Sequence, residues 1–325
     1  MKAECAICPR RCAPDNGQTG FCGARKNIDG KIICENYGKI TSMALDPIEK
    51  KPLRRFCPGT YVLSVGSFGC NLRCPFCQNH GISMLCGKPE TAESAPGEKI
   101  GAVVPTPGDK PETVDVEPET LVKKALSLKN QGNIGIAYTY NEPLIGYEYV
   151  MDCAQLAHSH GLKNAIVTNG YINEKPLSEL LPFIDAMNID LKCFNAGFYE
   201  KLCGSPVAGG EQSANANPMA GGGLLTNGNP IADSLEAVKG AISLAAVSTH
   251  VEVTTLIVPN ENDSPDEMEK LSYWLSTIDD NIPLHVSRFF PRYKYSDRFP
   301  TPISTVHELA AIASKNLRHV FTGNC

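Results

Sequence analysis

The stretch GCNLRCPFC, residues 69–77, decides how the rest of this chain is interpreted. It follows the short apolar run Tyr61–Gly66 and places Cys70, Cys74 and Cys77 in the spacing C-x3-C-x2-C. Iron–sulfur clusters are held by cysteine thiolates, normally four of them. A four-iron cluster held by only these three thiolates keeps one iron open to a small molecule, so it is a reaction site as well as an electron carrier. The alternatives are a zinc knuckle or thiols buried as small apolar side chains.

Composition narrows the class of protein. The 325 residues suit one large domain with an appendage or two domains, and they can bury a core without disulfides. The net charge of −5 and the lack of a long basic run argue against a nucleic-acid partner. The start Met1–Cys5 lacks the apolar core of a signal peptide, and no membrane-spanning stretch is evident. We therefore expect the clustered cysteines among the 14 to serve metal binding in the reducing cytoplasm rather than disulfides, and the remaining seven to be unpaired.

Residues 59–325 predict parallel β–α units, whereas residues 1–58 predict a small cysteine-rich metal-binding segment. Strand-like runs alternate with helix-like segments, which is typical of an α/β fold. Six units favour a partial (β/α)6 TIM-like barrel over a closed eight-fold one. The predicted strands are Tyr61–Gly66, Ile134–Tyr138, Lys163–Thr168, Ala186–Leu191, Val251–Val258 and Pro283–Ser287. The predicted helices are Glu119–Asn130, Tyr147–His160, Ser234–Val247, Asp266–Ile278 and Val306–Asn316.

Two segments interrupt this alternation. Residues 86–117 are rich in Pro, Gly, Glu and Thr, and residues 207–230 are rich in Gly, Ala and Asn. The second has almost no large apolar side chain and buries too little surface to order itself alone. We predict loop insertions at both places, either as tolerated surface loops or as a lid over the barrel mouth, meaning the carboxyl ends of the strands.

Polar side chains follow the predicted strands at the mouth, where β/α barrels gather their functional groups. Glu142 has the charge to accept hydrogen bonds from an ammonium group, and Thr168 and Asn169 offer a hydroxyl and an amide to a ribose. Ordinary turns are the alternative for these three. Asp190 and Lys192 are two residues apart, so they face the same side of a strand and are expected to pair or to bind a charged ligand.

His285 lies in the sixth predicted strand, between the apolar residues Leu284 and Val286. This setting is equally compatible with a satisfied core histidine, which is the usual role of a lone histidine. It becomes a candidate site residue only through its expected place at the mouth.

Four further cysteines form the pattern C-x2-C-x3-C-x9-C near the amino terminus: Cys5, Cys8, Cys12 and Cys22. Four thiolates suit a closed tetrahedral zinc site or a fully ligated iron–sulfur cluster. A structural metal is the more modest interpretation, because a short segment without a hydrophobic core needs a metal or another cross-link to stabilise its fold. An auxiliary cluster that relays electrons is the bolder one, and the sequence leaves the identity of the metal open.

The spacing of the central cysteines and its surroundings resemble the radical S-adenosylmethionine (radical SAM) superfamily, in which Phe76 fills a conserved aromatic position. Residue 3 to the end resembles the branch that includes pyruvate formate-lyase activating enzyme, and within it looks most like the AmmeMemoRadiSam system radical SAM enzyme. The matching stretches are Asp46–Leu53, Cys74–Asn79, Thr139–Pro143, Asn188–Lys192, Glu252–Leu256, His285–Pro291 and Thr322–Asn324.

The resemblance implies a [4Fe–4S] cluster on Cys70, Cys74 and Cys77, whose open iron binds the amino and carboxylate groups of SAM. Reductive cleavage then releases a 5′-deoxyadenosyl radical, which abstracts hydrogen from a substrate. An activating enzyme would take that hydrogen from a glycine in a partner protein. The alternative is an iron–sulfur redox carrier or a metal-binding scaffold in a multi-protein system, without SAM chemistry.

The resemblance also implies roles for individual residues. Asn141 and Glu142 stand at the superfamily's glycine-glycine-glutamate segment, which contacts the methionine amine. Thr168 and Asn169 stand in the activating enzymes' Asp-Thr-Asn-Gly segment. The SAM-contacting aspartate, lysine and histidine of those enzymes correspond to Asp190, Lys192 and His285.

The sequence departs from the family pattern at two places. Tyr140–Asn141 replaces the glycine pair, and Val167 replaces an acidic residue that helps bind a monovalent cation, so the sequence leaves open whether a cation site is kept. The resemblance implies an electron donor such as flavodoxin or ferredoxin. It also implies Memo-like and AMMECR1-like partners, one of which would be a possible protein substrate.

Overall fold

A computed structural model of the chain describes residues 1–84, 110–199 and 233–325. The predicted insertion at 207–230 and most of that at 86–117 lie outside the described residues. Within the insertion predicted at residues 86–117, Val114–Asp115 is a short strand that pairs antiparallel with Lys39–Ile40, where the sequence predicted a loop. Among the helices in the described ranges, none is long and apolar enough to cross a lipid bilayer.

The strands and helices are numbered here along the chain. The strands are β1 (Arg25–Ile28), β2 (Lys31–Cys34), β3 (Lys39–Ile40), β4 (Ser42–Pro47), β5 (Tyr61–Gly66), β6 (Val114–Asp115), β7 (Asn133–Tyr138), β8 (Lys163–Thr168), β9 (Ala186–Asp190), β10 (His250–Ile257), β11 (Leu284–Arg288) and β12 (Val320–Gly323). The helices are α1 (His80–Ser83), α2 (Pro118–Ser127), α3 (Tyr147–Ser159), α4 (Glu174–Leu180), α5 (Ala196–Phe198), α6 (Asp233–Ala246), α7 (Pro265–Ile278) and α8 (Ile303–Ala313).

One sheet carries the architecture, in the spatial order β12-β11-β10-β9-β8-β7-β5-β4. Its neighbouring strands are parallel except for β4 and β5, which are antiparallel. Helices connect the successive parallel strands, as a parallel sheet requires. The predicted α/β partial barrel is therefore confirmed. The sheet is wider than predicted, because β12 adds a seventh parallel strand and β4 adds an antiparallel edge.

Both faces of the sheet are buried. Residues 62–65 of β5 are all buried, as expected for a parallel strand covered on both sides. Leu63 and Val65 belong to the large core beneath the helices. Val62 belongs to a separate apolar cluster inside the barrel, with Ile48 and Leu53.

Residues 48–56, named the plug segment from here on, fill the barrel interior on the side away from the mouth. Ile48 and Leu53 are fully buried there. Their partners on the strands are small: Ala137, Ala165 and Ala186. Small side chains on the sheet thus leave the room that the plug segment occupies.

Polar contacts fix the plug segment to β9 and β10. The carboxylate of Glu252 accepts hydrogen bonds from the backbone N–H of Arg54 at 3.0 Å and of Arg55 at 2.7 Å. The side-chain amide of Asn188 donates to the carbonyl of Pro52 at 2.9 Å. Buried backbone groups that no strand satisfies are therefore paired by side chains.

The amino-terminal residues also contact the barrel from outside. Arg25 on β1 donates to both carboxylate oxygens of Glu148 on α3 at 2.7 Å, and to the carbonyl of Ile145 at 3.1 Å. Strand β4 belongs to the barrel sheet itself. The sheet thus draws on both predicted segments, and their division between residues 58 and 59 stays a prediction.

Candidate active site

The three central cysteines lie on residues 69–77, the cysteine loop, which follows β5 at the mouth. Gly69 begins the loop in a left-handed conformation with φ +86°. A Cβ atom at this position would lie 2.5 Å from the carbonyl oxygen of Cys22, so only glycine fits. The backbone N–H of Leu72 lies 3.4 Å from the sulfur of Cys70. The loop is thus held tightly and directs an N–H group at one of its own thiols.

The thiols of Cys70, Cys74 and Cys77 are close enough to affect one another's ionisation. Burial raises the pKa of Cys70, and the charges of Glu142 and Cys74 raise it further. Burial and Cys74 together raise the pKa of Cys77 to about 11. Binding to a metal has the opposite effect on the pKa of a thiol, because a thiol that coordinates a metal is deprotonated. One buried and two half-buried thiols on one loop therefore suit a group that is bound by thiolates.

The cluster ligands nevertheless stay a prediction that the spacing makes. Across residues 1–84, 110–199 and 233–325, no group of three or more His, Cys, Asp or Glu side chains already has the arrangement of a metal-ligand set. What the structure contributes is the polar surroundings of the cysteine loop.

Glu142 ties the ends of β7 and β8 together beside this loop. Its side chain is buried and accepts hydrogen bonds from the Thr168 hydroxyl at 2.7 Å, the Asn169 N–H at 2.8 Å and the Leu144 N–H at 3.1 Å. Burial raises the pKa of Glu142 to about 7, although these hydrogen bonds act to lower it. Two of the bonds go to Oε1 and one to Oε2, so Oε2 keeps one lone pair for a further donor.

Asn169 connects Glu142 to the cysteine loop. Its side-chain amide donates to the Asn71 side chain at 2.8 Å and lies 3.7 Å from the sulfur of Cys70. Its side-chain oxygen accepts from the N–H of Tyr171 at 2.9 Å. In this structure Asn169 orders the cysteine loop, and its predicted contact with a ribose stays a prediction, as does that of Thr168.

Asn141 braces the start of the same loop. Its side-chain oxygen accepts from the N–H of Ser67 at 3.0 Å, and its amide donates to the carbonyls of Phe68 and Gly69, both at 3.1 Å. The preceding Tyr140 has φ +73°, a left-handed conformation that favours glycine. The backbone at Tyr140 therefore adopts a conformation that glycine favours, at the position where the resemblance places a glycine pair.

Asp190 and Lys192 form the ion pair that their spacing suggested, with 2.9 Å between Oδ2 and Nζ. Lys192 opposes the burial that raises the pKa of Cys77. Asp190 adds to the burial that raises the pKa of Glu142. Both charges therefore act on groups at the mouth, where the sequence placed them.

Phe76 is buried against aromatic rings that follow β11. Its ring centroid lies 6.5 Å from that of Phe289 and 6.2 Å from that of Tyr295. Sequence reasoning identified Phe76 but neither partner. The available signal was the family-like stretch His285–Pro291, which contains Phe289.

His285 lies away from the cysteine loop, next to the plug segment. Its Nε2 is 2.6 Å from Oε2 of Glu252, and its ring centroid is 5.4 Å from that of Phe321. It precedes the last residue of β11, Arg288, by three positions. These contacts are those of a satisfied core histidine, and the predicted contact with SAM stays a prediction from the resemblance alone.

A buried polar group beside Tyr140 was not predicted as part of the site. Oδ2 of Asp46 accepts from Nζ of Lys51 at 2.9 Å and from the Tyr140 hydroxyl at 3.0 Å. Nζ of Lys51 also lies 4.9 Å from the centre of the Tyr140 ring. The sequence offered one indication of this group. The stretch Asp46–Leu53 resembles the family, but the resemblance implied no role for its charged residues.

The amino-terminal cysteines adjoin the cysteine loop. The carbonyl of Cys22 accepts a hydrogen bond from the N–H of Cys70 at 3.1 Å. One small cavity is lined by all four of them: Cys5, Cys8, Cys12 and Cys22. The four cysteines thus surround one cavity, and the metal predicted there stays a prediction.

Comparison with known proteins identifies the family. The family model of the radical SAM superfamily matches residues 64–271, from β5 into α7. The chain belongs to the radical SAM superfamily. Members of this superfamily are enzymes, and membership implies a [4Fe–4S] cluster and SAM.

Individual relatives agree with this assignment. The chain is 37% identical over 326 residues to an uncharacterized protein of Methanocaldococcus jannaschii, covering 99% of this chain and 81% of that protein. It is 24% identical over 213 residues to a pyruvate formate-lyase-activating enzyme of Clostridium pasteurianum, covering 65% of this chain and 67% of that enzyme. A solved radical SAM methyltransferase from Sphaerobacter thermophilus has a TM-score of 0.51 at 14% identity, covering 82% of this chain and 67% of that one, and it shares the fold.

Proposed function

We propose that this radical SAM enzyme cleaves SAM at a [4Fe–4S] cluster held by Cys70, Cys74 and Cys77, and then abstracts hydrogen from a substrate. One observation carries the proposal: the buried Cys74 and the half-buried Cys70 and Cys77 lie on one loop at the mouth, near Glu142 and the Asp190–Lys192 pair. When bound, the cluster supplies the electron that cleaves the sulfonium to methionine and a 5′-deoxyadenosyl radical.

Charged side chains at the mouth match the polar ends of SAM. Glu142 offers the remaining lone pair of Oε2 to the ammonium of the methionine moiety, and its low-dielectric surroundings strengthen that contact. Lys192 presents a cation to the carboxylate. Asp190 presents an acceptor to the ribose hydroxyls. These roles are supported by the charge of Lys192, which acts on Cys77, and by that of Asp190, which acts on Glu142.

Aromatic side chains shield the same site. Phe76 is 7% exposed and Phe289 is 1% exposed. Together with Tyr295 they form an apolar wall beside Cys74 and Cys77. Excluding water at this wall protects a carbon radical from side reactions.

The substrate class that we favour is a partner protein from which the enzyme takes a hydrogen atom, as a glycyl-radical activase does. The matched activating enzyme of Clostridium pasteurianum supports this choice. The resemblance to the AmmeMemoRadiSam enzyme suggests Memo-like and AMMECR1-like partners. Flavodoxin or ferredoxin would supply the electron, and the chemistry suits a reducing cytoplasm.

Anaerobic reconstitution tests the proposal. The protein is loaded with iron and sulfide, reduced with dithionite and given SAM, and we expect 5′-deoxyadenosine to accumulate. Cys74→Ala should abolish this product, since one of three cluster ligands is lost. Cys57→Ala is the matched control, because Cys57 is exposed and precedes β5 at the end of the barrel away from the mouth.

Two outcomes would redirect the proposal. Intact SAM with an unaltered cluster spectrum would support a redox carrier or a metal scaffold instead. An active Cys74→Ala variant would refute the ligand assignment. Within the enzyme class, electron paramagnetic resonance of a candidate partner distinguishes the options, because a glycyl radical marks an activase and its absence marks chemistry on another substrate.

A further inference from the structure

Backbone hydrogen bonds fold the amino-terminal cysteine pattern into turns, a tight one at Cys8–Arg11 and a wider one that joins Cys5 to Cys12. The N–H of Arg11 donates to the carbonyl of Cys8 at 3.1 Å, and the N–H of Cys5 donates to the carbonyl of Cys12 at 2.8 Å. On the other side, Gly20 packs so closely that a Cβ there would lie 3.2 Å from Cβ of Cys12. These turns present side chains that are far apart in sequence to one another.

Arg25 provides an independent sign that the cavity is built for an anionic group. Its side chain is 6% exposed and lines the cavity with the four cysteines. Its Nη atoms bind Glu148 and Ile145, but the buried Nε has no hydrogen-bond partner. An unpaired buried N–H is costly, and a tetrathiolate centre would supply its acceptor.

We propose that the four amino-terminal cysteines hold a single Zn²⁺ ion as a closed tetrathiolate centre, and that this centre positions the cysteine loop of the SAM site. The ligands are Cys5, Cys8, Cys12 and Cys22. Zinc with four thiolates carries a net charge of −2. The cations of Arg10 and Arg25, which both line the cavity, balance that charge.

The size of the cavity favours one ion over a cluster. Its free volume is about 10 Å³, roughly the room that one water molecule needs. A four-iron cluster with its four sulfides would need the turns to separate. A zinc ion needs only the sulfurs to approach one point at about 2.3 Å, which is a movement of side chains within a cavity that they already line.

Three contacts connect this centre to the cysteine loop. The carbonyl of Cys22 holds the N–H of Cys70 at 3.1 Å. Nε of Arg10 donates to the carbonyl of Asn71 at 2.6 Å. The guanidinium of Arg73 donates to the carbonyl of Phe21. Each contact comes from a zinc ligand or a residue within two positions of one, so an ordered centre fixes the loop backbone.

The test uses the full chain with Cys70, Cys74 and Cys77 all changed to alanine, so that the central site holds no cluster. Elemental analysis of this chain should find about one zinc per chain and almost no iron. Adding Cys8→Ser or Cys22→Ser should remove the zinc. Adding Cys34→Ser should not, because Cys34 lies nearby on β2 with its thiol bound to Asn36.

Two further measurements keep the test decisive if a serine variant does not fold. Zinc is removed from the triple-alanine chain with a chelator and Co²⁺ is added, and we expect the absorption of a tetrahedral cobalt thiolate. Hydrogen exchange is then compared with and without metal. Loss of the metal should speed exchange at residue 70 about tenfold, since its N–H bonds to Cys22.

Several results would overturn the inference. These are iron and sulfide in place of zinc, zinc that survives Cys8→Ser, or a folded triple-alanine chain that binds no metal. Unchanged exchange at residue 70 would overturn the positioning role. None of these measurements depends on SAM cleavage, so failure here and failure of the proposed function are separate results.

Discussion

Two buried glutamates stand at opposite ends of the barrel: Glu142 follows β7 at the mouth, and Glu252 lies near the start of β10 beside the plug segment. Both carboxylates accept hydrogen bonds from backbone N–H groups and from side chains. Their side-chain neighbours differ. Glu142 is bonded to the Thr168 hydroxyl and lies near the acidic Asp190, whereas Glu252 is bonded to the imidazoles of His250 and His285.

This difference decides the ionisation of the two groups. Burial acts to raise the pKa of Glu252, but the hydrogen bonds from His250, His285 and the Arg55 N–H outweigh it and lower the pKa to about 2. Burial prevails at Glu142, where Asp190 adds to it and the pKa is raised to about 7. Glu252 is therefore a satisfied anchor for the plug segment, while Glu142 is a carboxylate whose charge a cationic ligand would still stabilise.

The largest expected effect is on the free energy of unfolding, when Glu252 is replaced. Glu252→Ala should lower the free energy of unfolding by about 3–5 kcal/mol, because it leaves the buried His285 without its partner and removes the acceptor of His250 and of two backbone N–H groups. SAM cleavage per folded molecule should persist. Urea unfolding measures the first quantity and 5′-deoxyadenosine formation the second. Glu236→Ala on the exposed side of α6 is the control, and a loss as small as that of the control would contradict the anchor role.

The mouth glutamate should show the opposite pattern. Glu142→Ala should slow 5′-deoxyadenosine formation about 100-fold, or about 3 kcal/mol, because Thr168, Asn169 and Leu144 lose their common acceptor and the cysteine loop loses its support. The assay is the anaerobic reaction with dithionite. Glu179→Ala, on the exposed side of α4, should leave the rate unchanged. If Glu142→Ala reacts at the normal rate, the comparison between the two glutamates fails.

Lowering the pH should weaken the contacts of Glu252 with the plug segment, because the pKa of Glu252 is lowered in the folded protein. This pKa is about 2 when folded, against 4.5 for the unperturbed group. The stabilisation is therefore complete above pH 4.5 and is lost as pH falls towards 2; it amounts to about 3 kcal/mol. The difference in unfolding free energy between the wild type and Glu252→Gln should shrink over that window. A difference that stays constant would show that Glu252 is not held ionised by its partners.

The smallest expected effect concerns Lys192. Lys192→Met should weaken SAM binding about tenfold, or about 1.4 kcal/mol, since a partly exposed charge is screened by solvent. Anaerobic equilibrium dialysis measures this affinity. Lys163→Met removes an exposed lysine that pairs with Asp185 away from the mouth, so it should have no effect. Equal affinities for Lys192→Met and the control would remove Lys192 from the SAM contacts.

Local patterns predicted the regular elements well. The predicted Tyr61–Gly66 and Lys163–Thr168 coincide with β5 and β8, because a strand buried on both faces shows in the sequence as a short, nearly continuous apolar run. The sequence analysis did not predict helix α4. Its seven residues include Pro176 and only two large apolar side chains, Leu177 and Leu180, which is too short a pattern to indicate a helix. Strand β12 was missed because its four residues are only half-buried.

The sequence by itself determined the thiol spacing at the cysteine loop, the partial barrel and the polar residues at the mouth, since each depends on residues close together in the chain. Only the tertiary structure decided which glutamate serves the mouth and which serves the plug segment, and that His285 belongs with Glu252. It also decided that Cys22 meets Cys70. The physical reason is that burial and hydrogen-bond partners come from residues distant in sequence, as in the contact between Asn169 and Cys70, and no local pattern records them.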